Sequence, residues 1–410
     1  MKNLIEDVTC AGCYCACDDI RIETDGQQIL EVQTSCAQGQ DWFERAGTTD
    51  QLSPQIQGKP VSQNEAIARA VELIQKAQSP LVAGLSQTST DAQRAAIALA
   101  DHIGATIDTT AAAVTRALQQ AGEATCTLGE VRSRADLIIY WGAAELLNNA
   151  NHQQSLVANS SEVARKIIAM GGECSQQTDF IDECIQVESQ RELEVIWQLR
   201  ALLKGVDLAE TEPVGIAESE LQSLVSQLKQ CKYIVFFTGP EFKQGPLAHR
   251  KLEALSLLIK EIQSERRCHS ITVPAFGETK GAENVLAWQT GYAAAVNFAP
   301  GFPRYSPGEY HASRLLEQLE VDLCILTGGN PLVGLTEQAV QNLKRVPVIQ
   351  IGPVLSSEFQ PEVFLPAGIT GIHFPGSMYR YDGTPLPLRG FLSTVQNSEA
   401  EVLKQINNSL

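Results

Sequence analysis

No stretch of about eighteen apolar residues occurs in this chain, so a membrane-spanning helix is not expected. The opening Met1-Lys2-Asn3-Leu4-Ile5-Glu6-Asp7 lacks the charged-then-apolar pattern of a secretory signal. A cytoplasmic location is the resulting expectation. Positive charge is also scarce: 31 Lys and Arg against 48 Asp and Glu leave a net charge of −17. Nucleic-acid binding draws on basic patches that displace counterions from phosphates, so that class of partner is not expected either. The acidic balance serves solubility, and it would steer a basic partner face toward the chain. There is no GxSxG elbow, no Walker loop and no HExxH, which removes the simplest support for a hydrolase or a kinase.

What remains is an ordinary globular composition, 410 residues with 44% hydrophobic and 19% charged, enough for two or three lobes. Gln55 to Val61, with Pro54, Gly58 and Pro60, reads as a turn cluster, and a helix is predicted from Asn64 to Ala77. Next comes the apolar run Pro80 to Leu85. A polar start signal, Ser86 to Asp91, then leads into an alanine-rich helix ending at His102. Similar apolar runs, each closing on glycine, recur at 135–142, 232–239, 321–328 and 346–352. Buried parallel strands read this way, so the pattern predicts α/β architecture with doubly wound parallel sheets. The expected division is a cysteine-rich segment 1–53, α/β lobes 54–205 and 206–355, and an irregular segment 356–410 packing on the lobes.

Cysteine is unevenly spread. Five of the eleven lie in the first 36 residues, and four of these read Cys10-x2-Cys13-x3-Cys17-x18-Cys36. Three close thiolates on a short loop, plus one returning from further along, can converge on an iron-sulfur cluster. Four-cysteine zinc is the main competitor, although its usual pair of CxxC knuckles is absent; thiols without a metal are a third reading. Cys15 is the spare. The other six, Cys126, Cys174, Cys184, Cys231, Cys268 and Cys324, are scattered, mostly in apolar runs that suit buried thiols, and a disulfide framework is not expected.

At the strand ends, Thr327-Gly328-Gly329-Asn330-Pro331 is the best candidate for ligand contact, with Gly142 after Trp141 a weaker one. Glycine lets backbone approach closely, Asn330 offers a donor and an acceptor, and Pro331 stops the chain re-entering the sheet. A plain strand-to-helix turn explains the same residues. His102, His152, His249, His269, His311 and His373 are too dispersed for a metal triad and are read as surface or packed side chains, His102 as a helix-end cation.

Several segments, in order, resemble the B subunit of formylmethanofuran dehydrogenase, of the molybdopterin oxidoreductase superfamily. They are Cys10-Ala11-Gly12-Cys13 through Cys17-Asp18-Asp19-Ile20; Thr127-Leu128-Gly129-Glu130-Val131 with Arg134-Ala135-Asp136 leading to Tyr140-Trp141-Gly142; Trp288 to Tyr292; Gly301 to Glu309; and Tyr379 to Gly383 with Pro385 to Arg389. The resemblance implies a [4Fe-4S] cluster on Cys10, Cys13, Cys17 and Cys36, with no role for Cys15. It makes Gly142, Gly328, Gly329 and Asn330 relics of pterin-binding loops. Arg304 becomes either a cavity residue or a salt-bridged loop arginine.

One departure bears on activity. Catalytic members of the family carry a Cys-His pair, the cysteine bound to molybdenum or tungsten, shortly after an Ile-Asp-Asn-Thr-like run. Here the run is Ile107-Asp108-Thr109-Thr110 and the pair falls on Val114 and Thr115. An isopropyl group has no lone pair for a metal, and no Cys, Met or His occurs from Gly104 to Ala124. A metal bis-pterin guanine dinucleotide is therefore not expected. The resemblance then points to the variant found in formyltransferase/hydrolase complexes. Those complexes move a formyl group from tetrahydromethanopterin to a methanofuran-type carrier and hydrolyse it to formate, with the chemistry on other subunits. This chain would be a scaffold for those partners, its cluster structural. A catalytic molybdenum or tungsten subunit and an electron-carrying iron-sulfur module are the alternatives.

Overall fold

The structure is a computed structural model that describes residues 2–34, 36–49, 51–147, 149–153, 156, 163–172, 180–208, 214–245, 247–274 and 280–410. It divides into two compact units, Met1–Ala112 with Ala275–Leu410, and Ala113–Pro274.

The first unit is built on a nine-stranded sheet. Its centre is parallel: Thr106–Ile107, Pro80–Ser86, Leu323–Gly328, Val348–Gly352 and Val363–Pro366, in that spatial order. Short antiparallel strands flank it, Val296–Asn297 and Arg304–Tyr305 on one side and Gln55–Ile56 and Lys59–Pro60 on the other. Every residue of Pro80–Ser86, Leu323–Gly328 and Val348–Gly352 is buried, as a sheet covered on both faces requires. Val82, Ile325 and Ile349 face helices Gln63–Lys76, Thr90–His102 and Glu399–Ser409, while Leu81, Cys324 and Leu326 face helices Ala312–Glu317 and Glu337–Leu343. Ser62 with Glu65, and Ser398 with Glu401, form capping boxes that start two of these helices. Each apolar side chain buried in such a core contributes roughly 1.5–3 kcal/mol.

The N-terminal strands Asn3–Val8, Ile20–Thr24 and Ile29–Gln33 form a small antiparallel sheet. Its core is shared with the hairpin Gly376–Tyr379 and Pro385–Leu388: Val8, Ile20, Ile22, Trp42 and Phe43 pack with Met378, Leu386 and Leu388. The cysteine-rich start and the C-terminal segment thus fold together. The segment expected to be irregular supplies a sheet strand, Val363–Pro366, a hairpin and a final helix, Glu399–Ser409.

The second unit is a five-stranded parallel sheet in the order Glu183–Gln186, Lys166–Gly171, Leu137–Trp141, Tyr233–Thr238 and Arg267–Thr272. Helices Glu192–Leu203, Glu218–Gln230 and Ala248–Gln263 bury Val195, Leu199, Leu224, Leu255 and Leu258 with Ile139, Trp141, Ile234 and Phe236. The expected division at 205/206 falls inside this unit, because Leu137–Trp141 pairs directly with Tyr233–Thr238 across it. Pro80–Ser86 likewise pairs with Leu323–Gly328, which sequence order alone assigns to another lobe. Strand pairing, not linear neighbourhood, decides the boundary.

Candidate metal centre

The cysteine loop is slung between strands Asn3–Val8 and Ile20–Thr24 of the first unit. Two backbone bonds close it, Cys10 N–H to the Cys17 carbonyl at 2.8 Å and Ala16 N–H to the Cys13 carbonyl at 3.2 Å. Ala16 takes a left-handed φ of 41° to complete the turn. Cys36 arrives separately, as the N-cap of helix Ala37–Glu44, and its thiol makes no capping bond. Cys10, Cys13 and Cys15 are buried, while Cys17 and Cys36 are half-buried.

The sulfurs share one neighbourhood. Burial pushes the Cys10 thiol well up, and Cys13, Cys17 and Cys36 act on it as nearby charges. Cys15 is also raised, first by a side-chain hydrogen bond with Cys13 and then by burial, with Cys13, Cys17 and Cys36 again in range. The fifth cysteine therefore sits among the other four rather than pointing away. Metal ligation would require a thiol such as Cys10 to give up its proton against the burial that holds it protonated. Among the described residues, no group of three or more His, Cys, Asp or Glu side chains has the arrangement to hold a metal ion.

The loop is fixed from outside. Gln87 donates its carboxamide N–H to the Gly12 carbonyl. Tyr381 donates its backbone N–H to the Tyr14 carbonyl at 3.2 Å, with the two rings edge to face at 5.6 Å. Trp42 lies against Gly12 so closely that a Cβ there would come within 2.8 Å of the Trp42 Cβ.

The strand-end glycines have an internal explanation. Gly328 has φ of 102°, and a Cβ on it would lie 2.2 Å from the Ser86 carbonyl oxygen. Gly329 is closed in by Gln87 and by the Trp42 ring, and the Asn330 carbonyl accepts from Ser86 Oγ at 2.8 Å. In the second unit Gly142, with φ of 56°, would meet the Phe242 backbone nitrogen at 2.7 Å if it carried a Cβ. At these four positions the described close partners are the chain's own atoms.

The other sequence candidates are placed as follows. Asp108 is buried and accepts from the Ala295 and Ala312 backbone N–H groups at 3.0 and 2.8 Å, so it ties loops of the first unit together. Val114 packs in the core of the second unit, and Thr115, also buried, has a hydroxyl with no partner among the described residues. Arg304 is exposed on its two-residue edge strand. His102 meets Asn407 Oδ1 at 2.8 Å, His152 pairs with the Tyr140 hydroxyl at 2.8 Å, and His373 accepts from the Ile369 N–H at 3.0 Å. Burial pushes His152 down to about 3, so it is neutral. Cys174 lies outside the described residues.

Sequence reading missed Glu399. It opens the last helix, yet it is buried and accepts from the Thr88 hydroxyl; burial pushes its carboxyl up to about 8, against the pull of that bond. Ser398-Glu399 is a readable helix start, but only the tertiary fold shows that Glu399 points inward while Glu401 caps the helix.

The parallel sheets and their loops define a molybdopterin-oxidoreductase-type fold. Acetylene hydratase from Pelobacter acetylenicus matches it at TM-score 0.58 and 11% identity, over 98% of this chain and 68% of that one. A chain of the formyltransferase/hydrolase complex FhcABCD from Methylorubrum extorquens, solved with methylofuran, matches at TM-score 0.73 and 22% identity, over 87% of this chain and 98% of that one. No family model matches the sequence. The B subunit of tungsten-containing formylmethanofuran dehydrogenase 2 from Methanocaldococcus jannaschii is 27% identical over 427 aligned residues, 98% of each chain. Its counterpart from Methanococcus maripaludis is 25% identical over the same share. The B subunit of the Methylorubrum extorquens Fhc complex is 25% identical over 67% of this chain and 74% of its own. The chain is a homologue of the B subunits of formylmethanofuran dehydrogenase and of the Fhc complex.

Proposed function

We propose that this chain is the B subunit of a formyltransferase/hydrolase-type complex, a non-redox scaffold in cytoplasmic, tetrahydromethanopterin- and methanofuran-dependent one-carbon metabolism. The observation that carries the reading is Val114. The position expected to bind molybdenum or tungsten through a thiolate holds a side chain without a lone pair, packed among Ala117, Leu137 and Trp141 in the second unit's core. Thr115 beside it offers no imidazole. The close packing of Gly142 and Gly328 against the chain's own backbone, and of Gly329 against the Gln87 and Trp42 side chains, supports the same reading.

Cys10, Cys13, Cys17 and Cys36 would hold a [4Fe-4S] cluster, which when bound supplies a metal cross-link and one-electron capacity. The chain's residues do the rest by position. The two strands carry the loop, Cys36 stands at the N-cap position of helix Ala37–Glu44, and Gln87 and Tyr381 anchor the loop to the sheet and the C-terminal hairpin. The homologous subunits of multi-subunit complexes support other chains of such a complex as partners.

A second reading is favoured by one specific observation: the two relatives aligned over 98% of the chain are tungsten-containing enzymes. In that case this would be a catalytic metal-pterin subunit. Elemental analysis of the native complex, purified without oxygen, separates the two. We expect about four irons per chain and no molybdenum or tungsten; stoichiometric tungsten or molybdenum would overturn the scaffold reading.

A further inference from the structure

One surface of the second unit carries charge of the opposite sign to the chain as a whole. Helices Glu192–Leu203, Glu218–Gln230 and Ala248–Gln263 end side by side there, around a groove of about 330 Å³. Leu203, Leu228 and Ile262 line it with apolar surface, and Lys204, Lys229 and Arg266 line it with cations beside Glu261 and Glu265. Arg200 adds a fourth cation. It donates to both oxygens of Glu261, at 3.1 and 2.7 Å, and Lys204 shares that carboxylate at 2.8 Å. Four cations thus stand against two carboxylates, in a chain with 31 Lys and Arg against 48 Asp and Glu. Cations at helix C-termini complement the helix dipole, and Arg266 is used in that way, donating to the Lys229 and Glu265 carbonyls at 3.1 and 2.9 Å. Lys229 is not: it is exposed and has no ion pair among the described residues.

Large apolar side chains flank the groove. Trp197 is 51% exposed, and its ring lies 4.3 Å from the Arg200 guanidinium, so Glu261 holds the arginine and the arginine holds the indole. Val206, just beyond the end of the same helix, is 53% exposed. A fixed Trp and Arg beside an apolar cleft are the groups that carry most of the energy at protein interfaces. We propose that this helix-end face is a docking surface for an acidic segment of another subunit, its apolar side chains on Trp197 and in the groove and its carboxylates on Lys229 and Lys204. The local excess of positive charge selects an acidic partner and steers it to this face of an otherwise acidic chain. The inference rests on the assembly with other subunits proposed above, and not on the metal assignment.

The test is carbodiimide cross-linking of the native complex, which joins a lysine amine to a carboxylate only where the two are already in contact, followed by peptide mapping. The internal Lys204 and Glu261 pair is the positive control. We expect Lys229 joined to an Asp or Glu of another subunit, and oxidative labelling of Trp197 lost in the complex but present in the chain alone. Trp197→Ala should weaken retention of that subunit about thirtyfold, and Lys229→Glu, at an exposed position, should make the complex dissociate at lower salt. Lys229 joined only to carboxylates of this same chain overturns the choice of partner. Binding of the chain to vesicles of phosphatidylcholine and phosphatidylserine, abolished by Trp197→Ala, overturns it in favour of a lipid surface. Equal labelling of Trp197 in the complex and alone overturns the docking surface and leaves the scaffold reading standing. A chain that purifies from its host with no other subunit overturns both.

Discussion

The two units finish their parallel strands with opposite chemistry. In the first, the groups beyond the strand ends are neutral: Ser86 hydroxyl on the Asn330 carbonyl, Gln93 amide on the Leu85 carbonyl at 3.0 Å, and Thr88 on the largely protonated Glu399. In the second, a charge pair does the closing. Lys251 Nζ lies 2.6 Å from Glu192, which also accepts from the Trp141 indole at 3.1 Å, and Phe242 offers its ring to the Lys251 ammonium at 5.2 Å. At the charged end each Glu192 oxygen has a partner, Lys251 Nζ on one and Trp141 Nε1 on the other. The neutral end leaves Gln87 Oε1 and Thr327 Oγ1 buried without partners among the described residues. Crevices at the carboxyl ends of such strands are where ligands bind in open α/β sheets. The difference teaches that one sheet end is sealed by internal charge, while the other keeps polar groups with bonds still to make.

The comparison breaks most severely at the charge pair. Replacing Lys251 with Met strands a carboxylate at a site where both partners are almost fully buried, and unfolding by urea should register a loss of about 3–5 kcal/mol. Removing both charges in a Lys251→Met, Glu192→Leu double variant should recover much of it; if the double variant is as weak as the single, the pair is not what closes that end.

A smaller loss is expected at the first unit's strand end. Gly328→Ala combines an unfavourable φ with a backbone collision at Ser86, a cost of roughly 2–4 kcal/mol by the same measurement.

Glu399 sharpens the comparison through pH. Its folded pKa of about 8 lies above the ordinary carboxylate value of 4.5, so from pH 4.5 upward the unfolded chain ionises at this residue while the folded one still holds the proton. Stability from this group is fully present below pH 4.5 and is lost progressively up to about pH 8. Glu399→Gln should flatten that part of the stability profile, and an unchanged slope would mean the carboxyl is already ionised in the fold. The smallest effect belongs to a neutral bond in the second unit. Tyr140→Phe removes the partner of His152 Nε2 and should cost about 1 kcal/mol, read from the same urea unfolding.

Much of this was legible in the residues. Continuous apolar runs ending in glycine announced buried parallel strands, and the polar stretch Ser86 to Asp91 marked the start of the alanine-rich helix, because both signals are local. The thiol set was legible as a spacing. The domain division was not, since it depends on which distant strands pair, and Pro80–Ser86 finds its partner far along the chain, at Leu323–Gly328. The glycines were ambiguous in another way. Freedom at φ and room for close approach serve a ligand or a neighbouring backbone equally well, and nothing in Thr327-Gly328-Gly329 says which. Glu399 gave no signal, because an inward carboxyl becomes visible only once the chain has packed around it.

The discontinuity of the first unit also sets an order of events during synthesis. Residues 113–274 are contiguous, so all five strands of the second sheet leave the ribosome before Leu323–Gly328 and Val348–Gly352 exist. The second unit can fold as soon as it is made. Pro80–Ser86, buried throughout in the finished fold, must meanwhile wait for neighbours that close a very long loop. The nascent chain therefore passes through a stage with one finished unit and one exposed, sticky half-sheet, and the yield of folded protein depends on how well that stage is protected.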